Sequence, residues 1–513
     1  MEINNDMNNN DIIDNNLLKY PYNINNKIYL DFSLTELEKK IFDFLIYVKE
    51  KNNLNNTTIR VVGGWVRDKL LGIENNDIDI TVSNINCNEF AVLLNKELHR
   101  DKYKIGGSYK KSKNIEIVKV PIYGILIDIV NLCLDNNNKE NPIFDAERRD
   151  ITINALFYNL NEKKIENFCS ESLDDIKNGI INTPLNPELT FEYDTFIIFR
   201  LIRFALKYRF KISDKINNTI YKNYKIYEEN IIKKVAKERI KTDLFKIFEE
   251  NNFNVGTFFY ILYKYKLINA FFIDYKNLNS NELTENLNIE IINMVNNIIL
   301  GEHIYKFFKE KYNDENFIDQ NSKINLYLIL MTFNYYKYNA IINTNVVNVN
   351  RTILKKNLKV SYDIIYFISL ICKNMDEFIT LVNNNEYNNM NIKSLLKKID
   401  YHHLLVMIIC CITKEYYQNI KLDNIIKEID FKLLDNLYKK YEKFHQYINE
   451  NIMILNDFKL IISKKEIHEL FNGISNKNMG ILIKLIEKKQ LNNPNINKDE
   501  AINYLKEEYK KLS

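Results

Sequence analysis

Two aspartates separated by one residue, Asp77 and Asp79, lie in the run DIDITV, whose β-branched residues predict a strand. Side chains at positions i and i+2 of a strand project from the same face, so these two carboxylates would lie close together. Close carboxylates repel each other unless a cation lies between them, and Mg²⁺ prefers such oxygen ligands and phosphate oxygens. The pair therefore predicts a clamp for Mg²⁺; a solvated strand edge is the alternative.

The stretch just before these aspartates combines two glycines with an arginine. The chain has 11 glycines in 513 residues, yet Gly63 and Gly64 are adjacent at the start of a short predicted helix. Free N–H groups at a helix N-terminus bind phosphate, and glycine leaves them accessible. Arg67, about one turn into that helix, has a forked guanidinium that suits the same phosphates. A phosphate cradle beside a metal clamp predicts nucleotidyl transfer, although a simple turn is the alternative for the glycines.

A third carboxylate is expected on a neighbouring strand. The run GILIDIVNL contains Asp128, an acid in an otherwise apolar strand. A buried aspartate without a partner would be costly, so Asp128 points either at the metal or at solvent on the other side of the sheet. We favour the metal side.

Alternating helices and strands surround these residues, and helices follow them. A helix is predicted over 35–52, and a hairpin with its turn near IYG over 115–132. Residues 1–30 are predicted to be disordered, and 31–160 to form an α/β unit. From about residue 185 onward, glycine and proline become rare and the helical period dominates, as expected for stacked helices.

The composition indicates the cellular compartment of the protein better than its binding partner. The 71 basic residues nearly balance the 67 acidic ones, so the net charge of +4 is a weak indication of an anionic partner. Six scattered cysteines without a CxxC pair indicate reduced thiols. No apolar run is long enough to span a membrane, and the N-terminus lacks signal-peptide and transit-peptide features. We therefore expect a cytoplasmic protein, with an additional nuclear or organellar pool left open.

Five motifs in order, within residues 58–250, resemble those of the class II tRNA nucleotidyltransferase and poly(A) polymerase family, a branch of the DNA polymerase β-type nucleotidyltransferases. GGWVRDKLLG with the following DIDI is similar to the first motif, and ERRDITINALFYN to the second. SLDDIKNGIINTPLNPELTF resembles the connector of eukaryotic members, and RLIRFALKYRFKI resembles the nucleobase-recognition helix. KERIKTDLFKIF resembles a further motif, whose Glu-Arg pair would be Glu238 and Arg239.

The resemblance implies a fold and a domain order. The fold is α+β, with an N-terminal mixed-sheet nucleotidyltransferase head followed by an elongated all-α neck, body and tail. After the disordered extension, the implied boundaries are 31–160 for the head, 161–255 for the nucleobase-recognition neck, and 256–513 for the body and tail, which would bind tRNA.

The resemblance also implies roles for individual residues. Three carboxylates would be catalytic, the first two of them as Mg²⁺ ligands: Asp77, Asp79 and Asp128. The residues implied to bind the nucleotide are Gly63, Gly64, Arg67, Arg149, Asp150, Asn154, Asp194, Arg200 and Arg203. Within that set, the glycines and Arg67 would hold the triphosphate, Asp150 and Asn154 the ribose, and the other arginines the phosphates or the base. A basic stripe on a helix surface is the alternative for the arginines at 200 and 203.

One position departs from the family pattern. Members usually carry two acidic residues followed by x-x-Arg at the start of the recognition helix, where the second acid and the arginine bind the edge of the base. Tyr193, Asp194 and Ile197 occupy these positions here. Isoleucine has no hydrogen-bond donor, and losing one charged donor to a base would cost ~1–3 kcal/mol and relax base choice. Arg200, one turn along the helix, is the candidate substitute.

The implied function is the addition of CCA to the 3′ end of tRNA from CTP and ATP, with Mg²⁺ and release of pyrophosphate. One alternative is a polymerase of the same fold that adds only A, only CC or poly(A). Another is an RNA-binding protein with a lapsed active site, which the intact aspartate pair and RRDITINA disfavour. Binding of tRNA would rely mainly on backbone contacts and shape. No membrane partner is expected, and the sequence gives no oligomeric state.

Overall fold

The computed structural model describes 29–30, 32–99, 106–110, 115–134, 139–250, 254–273, 281–312, 318–342, 345–384, 389–399, 403–420, 424–426, 428–456, 459–472, 474–493 and 495–512. The predicted disordered extension therefore lies, up to residue 28, outside the described residues.

A seven-stranded sheet forms the N-terminal part of the chain. Its strands, in sheet order β3-β4-β5-β2-β1-β6-β7, and the helices around them are β1 (Ile59–Val62), β2 (Asp79–Val82), β3 (Gly106–Lys110), β4 (Ile115–Ile122), β5 (Ile125–Asn131), β6 (Leu156–Asn159), β7 (Lys164–Asn167), α1 (Glu36–Lys51), α2 (Gly64–Leu70), α3 (Cys87–Glu97) and α4 (Pro142–Glu147). Strands β2 and β5 run parallel, whereas every other neighbouring pair is antiparallel. The predicted mixed sheet is confirmed, as is the hairpin at 115–132, which turns at Tyr123 and Gly124.

Helix α1 fixes the start of α2 against the sheet. Thr35 and Glu38 form a full capping box at the N-terminus of α1. The Glu38 carboxylate also accepts a hydrogen bond from Trp65 Nε1 at 2.9 Å and another from Lys69 Nζ at 2.8 Å. The Trp65 ring is fully buried against Phe32 and other aromatic rings. Burial of this large side chain holds α2 in place beside β1 and β2.

Helices dominate the rest of the chain. They are α5 (Ser172–Asn178), α6 (Pro187–Tyr193), α7 (Ile197–Tyr208), α8 (Asp214–Lys234), α9 (Lys237–Glu249), α10 (Val255–Lys264), α11 (Ile268–Phe272), α12 (Asn281–Tyr312), α13 (Gln320–Thr332), α14 (Val349–Thr352), α15 (Tyr362–Asn383), α16 (Asn389–Ile399), α17 (Leu404–Ile420), α18 (Phe431–Asn456), α19 (Lys464–Leu470), α20 (Asn476–Asn492) and α21 (Lys498–Leu512). Within the described ranges, four short strands lie between them: β8 (Ile180–Ile181), β9 (Lys211–Ile212), β10 (Asn339–Ile342) and β11 (Asn345–Asn348).

These short strands correct the expectation of an all-α neck, body and tail. Strands β8 and β9 pair in parallel, and β10 and β11 form an antiparallel hairpin. Asparagine is abundant throughout the chain, so the asparagines of NAIINTNVVN gave no distinct turn signal. The first sheet also continues to Asn167, beyond the predicted head boundary at residue 160.

A continuous apolar core joins the sheet to the helices that follow it. Helix α7 lies at this junction, where the Phe199 ring contacts the rings of Phe258 and Phe271 at centroid distances of 4.8 and 5.1 Å. The helices α19, α20 and α21 share a separate cluster of buried apolar residues. None of the helices in the described ranges combines the length and the apolarity needed to cross a bilayer.

Candidate active site

Two carboxylates face each other on the parallel strands at the centre of the sheet. Asp79 begins β2 and is the register partner of Asp128 on β5. Lys119, the partner of Asp128 on β4, donates hydrogen bonds to both Asp128 oxygens at 2.7 Å. The structure therefore brings Asp128 beside Asp79, with a lysine balancing part of the negative charge.

Asp77 lies in the loop before β2. The sequence placed both aspartates on the strand, but β2 starts only at Asp79. The Asp77 N–H donates to Asn75 Oδ1 at 2.8 Å, and its side chain is exposed. The loop, not the pleat of a strand, is what positions Asp77.

The three carboxylates interact electrostatically. Burial is the largest cause that raises the pKa of Asp79, and the charges of Asp77 and Asp128 also raise it, while Arg149 and Lys119 oppose them. The resulting pKa of Asp79 is about 6. Crowded carboxylates of this kind are stabilised in their ionised form by a divalent cation, and the oxygen donors of Asp77 and Asp79 suit a hard ion. Among the described residues, no ready-made group of three or more His, Cys, Asp and Glu side chains could hold a metal ion.

The two adjacent glycines make room for two guanidinium groups. Gly63 has a φ of +75°, which L side chains rarely adopt, and a Cβ there would lie 3.2 Å from Arg149 Nη1. A Cβ on Gly64 would lie 3.3 Å from Arg67 Nη2. Close approach of these arginines is thus a second reason for the glycine pair, besides the predicted phosphate cradle.

The structure gives Arg67 a different set of partners from the predicted triphosphate. Its guanidinium is buried and donates to both Asp68 oxygens, at 2.8 and 3.0 Å, and to Asn154 Oδ1. It also stacks on the Tyr208 ring, 4.5 Å from the ring centroid, and the Tyr208 hydroxyl donates to Asp68 at 3.0 Å. These contacts hold Asn154 in place and join α2 to the end of α7.

A line of polar contacts continues from Asn154 to α7. Asn154 Nδ2 donates to Asp150 Oδ1 at 2.9 Å, and Asp150 Oδ2 forms an ion pair with Arg200 Nη2 at 2.8 Å. The two residues predicted to contact the ribose therefore lie side by side, with Arg67 holding Asn154 and Arg200 holding Asp150. Their contact with ribose stays a prediction.

Arg149 lies between the carboxylates and the glycine turn. Its Nη2 forms an ion pair with Asp145 at 2.8 Å, and its guanidinium lies over the Phe157 ring. Its charge also lowers the pKa of Asp79, against the effect of burial. Because Nη1 lies beside Gly63, the guanidinium is close both to the glycine turn and to the Asp79 carboxylate with which it interacts electrostatically.

The turn that carries Asn154 is supported by a buried acid, Asp175. The Thr152 hydroxyl donates to Asp175 Oδ2 at 2.7 Å. Burial raises the pKa of Asp175 to about 6; the hydrogen bond from Thr152 opposes this increase, whereas the charges of Glu171 and Asp174 add to it. Because the ordinary value is 3.8, the folded protein disfavours the ionised form of this acid at neutral pH.

We expect D175N to stabilise the head at neutral pH. The destabilising effect of ionisation is absent below about pH 4 and complete above about pH 6, and such a shift corresponds to on the order of 2 kcal/mol. Asparagine keeps the acceptor for Thr152. Thermal unfolding followed by the fluorescence of Trp65, the single and fully buried tryptophan, measures the effect. Above pH 6, the midpoint temperature of unfolding of D175N should be higher than that of the parent, and near pH 4 the two should be equal. D174N, at an exposed neighbouring position, should change the midpoint temperature little. An equal shift at both pH values would contradict the raised pKa.

Around α6, α7 and α9, the predicted base-recognition residues already have partners. Asp194 forms a two-pronged ion pair with Arg239, at 2.7 and 3.2 Å, and Arg203 pairs with Asp243 at 3.3 Å. Ile197 lies at the position where the resemblance implies an arginine. Its side chain is only 4% exposed and lies in the core. Arg200 points to Asp150, not to Asp194.

Arg239 lies in the last of the five motifs, but sequence reasoning assigns no site role to it. Asp194, Arg239, Lys234 and Tyr193 line a small cavity. The Tyr193 hydroxyl also accepts a hydrogen bond from Arg148 at 2.9 Å, which connects this cavity with the end of α4. The missing information was spatial, because residues 194 and 239 meet only when α9 folds back beside α6.

The family model described as the Poly A polymerase head domain matches residues 59–182. A tRNA nucleotidyltransferase of Schizosaccharomyces pombe is 39% identical over 240 residues, which are 43% of this chain and 48% of the relative. The mitochondrial CCA tRNA nucleotidyltransferase of Saccharomyces cerevisiae is 36% identical over 209 residues, which are 36% of this chain and 38% of the relative. The chain thus matches half or less of the length of these curated relatives.

Solved structures extend the likeness of fold to the helical half. The Thermotoga maritima CCA-adding enzyme complexed with tRNA covers 92% of this chain and 96% of its own, with a TM-score of 0.59 and 18% identity. A CCA-adding enzyme in complex with ATP covers 93% and 96%, with a TM-score of 0.60 and 19% identity. Residues 59–182 thus match the Poly A polymerase head domain, the N-terminal part of the chain is similar to named tRNA nucleotidyltransferases, and the fold of most of the chain resembles that of solved CCA-adding enzymes.

Proposed function

We propose that this protein adds C, C and A to the 3′ end of tRNA, using CTP and ATP and releasing pyrophosphate. The observation that carries the proposal is the position of Asp79 and Asp128 on neighbouring strands, with Asp77 and Arg149 beside them and the Gly63 turn next to Arg149. Carboxylates beside a guanidinium and a glycine turn can hold a metal–triphosphate complex. The carboxylates bind the positive metal ion, and the guanidinium binds the negative phosphates. The named relatives that match the head support the same reaction.

We propose Mg²⁺ as the metal ion, with Asp77 and Asp79 as its ligands from this chain. The family uses a divalent metal, which in nucleotidyl transfer activates the attacking hydroxyl and neutralises the leaving pyrophosphate. Burial and the neighbouring carboxylates together raise the pKa of Asp79 to about 6, and a cation at this point would offset both effects. Lys119 holds Asp128 by two hydrogen bonds, so Asp128 acts beside the metal as an oriented carboxylate.

The remaining residues position the nucleotide. Arg149, next to Gly63, attracts the triphosphate towards the carboxylates. Asp150 and Asn154 offer an acceptor and a donor to the ribose hydroxyls, which favours ribonucleotides. Arg67 and Arg200 orient this pair through Asn154 Oδ1 and Asp150 Oδ2.

For base selection, we propose the Asp194–Arg239 pair. A carboxylate and a guanidinium held together present acceptors and donors, which is what the edges of cytosine and adenine require. Arg239 would thereby supply the donor that Ile197 lacks. Arg200 is a poorer candidate, since it is engaged by Asp150.

We expect R239K to weaken base selection more than overall rate. Lysine keeps the charge but loses the planar fork, so Asp194 would no longer be held in one orientation. Discrimination of CTP and ATP against UTP and GTP should fall about tenfold in kcat/KM, with a smaller change in kcat for the correct nucleotide. K246A, an exposed position on the same helix, should behave as the parent. Unchanged discrimination in R239K would remove Arg239 from base selection.

A polymerase of the same fold that adds only A, only CC or poly(A) is the second candidate. Ile197 favours it, because the usual arginine donor is missing there. The head domain is shared between the two activities: the poly(A) polymerase I of Escherichia coli is 30% identical over 168 residues, 30% of this chain and 35% of the relative.

Nucleotide addition to a trimmed tRNA tests these proposals. Purified protein is incubated with Mg²⁺ and a tRNA lacking its last three nucleotides, with each labelled nucleotide alone and with CTP and ATP together. Two C and one A per tRNA support the first proposal. Addition of A alone, of CC alone or of long A tails supports the second. Binding of the tRNA without any addition would identify an RNA-binding protein with a lapsed site.

We further propose that the protein acts in the cytoplasm. None of the six cysteines, all of which lie in the described residues, forms a disulfide bond, which fits a reducing compartment. Two related CCA tRNA nucleotidyltransferases are named as mitochondrial, so fractionation of cells with antibody detection should include the mitochondrial fraction.

A further inference from the structure

The middle of the helical half contains a long segment with one sign of charge. From Gln320 through Tyr362 the sequence has no Asp or Glu, but five lysines and one arginine. Four of the six lie within nine residues of one another: Arg351, Lys355, Lys356 and Lys359. A net charge of +4 for the whole chain hides this concentration, because the acids lie elsewhere.

Local structure presents these four cations to solvent. The segment after α14 forms a π-helical turn, Ile353–Asn357, in which Ile353 and Leu354 are buried while Lys355 and Lys356 are exposed. Arg351 and Lys359 on either side are also exposed. None of the four forms an ion pair with a carboxylate in the part of the chain that the structure describes. Their charges are therefore available to a partner.

Two exposed aromatic rings adjoin the cations. Tyr362 and Tyr366, one turn apart on α15, are 58% and 71% exposed. Lys355 Nζ lies 4.6 Å from the centroid of the Tyr362 ring. A hydrogen bond with Lys355 lowers the pKa of Tyr362, as do the nearby charges of Lys355 and Arg351. Rings and cations thus form one surface.

We propose that this basic-aromatic surface, made of Arg351, Lys355, Lys356, Lys359, Tyr362 and Tyr366, binds RNA. Cations neutralise phosphates along a strand, and an exposed tyrosine offers a face on which a base can stack. An acidic protein would use the cations but would leave the rings without a role. Asp363 is the one acid in this stretch, and it leaves an excess of three positive charges from Arg351 to Tyr366.

Packing connects this surface with the proposed nucleotide site. Asn357 Nδ2 donates to the Phe272 carbonyl at 2.9 Å, which fixes the π-helical turn on α11. The Phe272 ring in turn packs on Phe199, 6.3 Å between centroids, next to Arg200 on α7. An RNA held here therefore lies on elements that support the nucleotide-binding helix. The inference rests on the proposed function, to which it adds where the RNA is gripped.

Direct binding tests the inference without requiring nucleotide addition. The probe is a fluorescently labelled tRNA lacking its last three nucleotides, titrated with protein in the absence of CTP and ATP and followed by anisotropy at several salt concentrations. The variants are R351Q/K355Q/K356Q/K359Q and Y362A/Y366A. The control, K39Q/K40Q/K51Q/K96Q, makes the same change of charge at exposed positions on α1 and α3.

We expect the first variant to raise the Kd more than tenfold and to lower the slope of log Kd against log salt by about 3, at ~0.7–0.9 per lost phosphate contact. The tyrosine variant should raise the Kd about tenfold with little change in the slope. The control should stay near the parent value. Parent-like binding by both surface variants, or an equal loss in the control, would overturn the inference.

Two further outcomes separate this inference from the proposed function. If the parent protein binds the tRNA and the surface variants bind equally well, the inference fails while the proposed function stands. If the surface variants lose binding to vesicles of phosphatidylcholine and phosphatidylserine but keep their affinity for tRNA, the surface serves a membrane and the inference is wrong. A parent protein that fails to bind the tRNA at all contradicts the proposed function itself.

Discussion

D79N should reduce nucleotide addition by at least about a thousandfold. Asp79 is the one carboxylate that is both register partner of Asp128 and close to Asp77 and Arg149. Asparagine has nearly the same shape, but it cannot supply the negative charge that a divalent ion needs. Loss of several kcal/mol of metal stabilisation in the transition state corresponds to a factor of about a thousand.

Single-turnover addition of labelled CTP to trimmed tRNA measures this loss. D174N, which removes an exposed aspartate near the end of the head, is the matched control and should keep the parent rate. Binding of Mn²⁺ in the presence of ATP, followed by electron paramagnetic resonance, gives a readout that does not depend on turnover. D79N should bind the ion more weakly while keeping its affinity for tRNA. A parent-like rate and parent-like Mn²⁺ binding would end the proposal of a metal site at this strand.

R67A should destabilise the head by about 3–5 kcal/mol. The Arg67 guanidinium is the buried partner of Asp68, and its removal leaves the Asp68 carboxylate buried with only the Tyr208 hydroxyl and the Asn75 amide as described donors. Breaking one side of a buried ion pair typically costs this amount. Urea unfolding followed by Trp65 fluorescence reports on the region, because Trp65 lies in the same short helix.

The double variant R67M/D68N separates a structural role from a catalytic one. Replacing both charges removes the unpaired carboxylate, so much of the lost stability should return. If Arg67 mainly positions Asn154, the double variant should regain stability, but its KM for CTP should be higher than that of the parent, as in R67A. If the double variant is as unstable as R67A, unpairing of Asp68 is not the cause of the loss.

Local chemistry could be predicted from the sequence better than contacts between distant elements. The residues around Gly63, Gly64, Asp77 and Asp79 were sufficient to predict a short helix followed by a strand, and the structure has both. It was not sufficient to show that β2 begins at Asp79, leaving Asp77 in the loop, because strand propensity does not resolve one or two residues. The adjacency of Asp128 required the strand order, which a single sequence does not contain.

The arginines show the same limit. Residue type marked Arg67 as a phosphate-binding candidate, and the resemblance implied nucleotide-binding roles for Arg200 and Arg203. In the structure each forms an ion pair with a carboxylate of the protein: Asp68, Asp150 and Asp243. Two of these acids lie far away in sequence, so only the fold could identify the pairs. The same holds for Arg239, which meets Asp194 across 45 positions.

Two polar contacts connect α7 with residues that pack beside the sheet, and they restrict how the molecule can open. Tyr208 bonds Asp68 at one end of the helix, and Arg200 pairs with Asp150 nearer the other end. A helix held at two points cannot swing away from the sheet as a rigid body without breaking both. Any hinge motion between the sheet and the later helices must therefore bend the chain beyond α7. Helix α8 departs from helical geometry at Asn223, with φ −112° and ψ 15°, and we expect any such bending there.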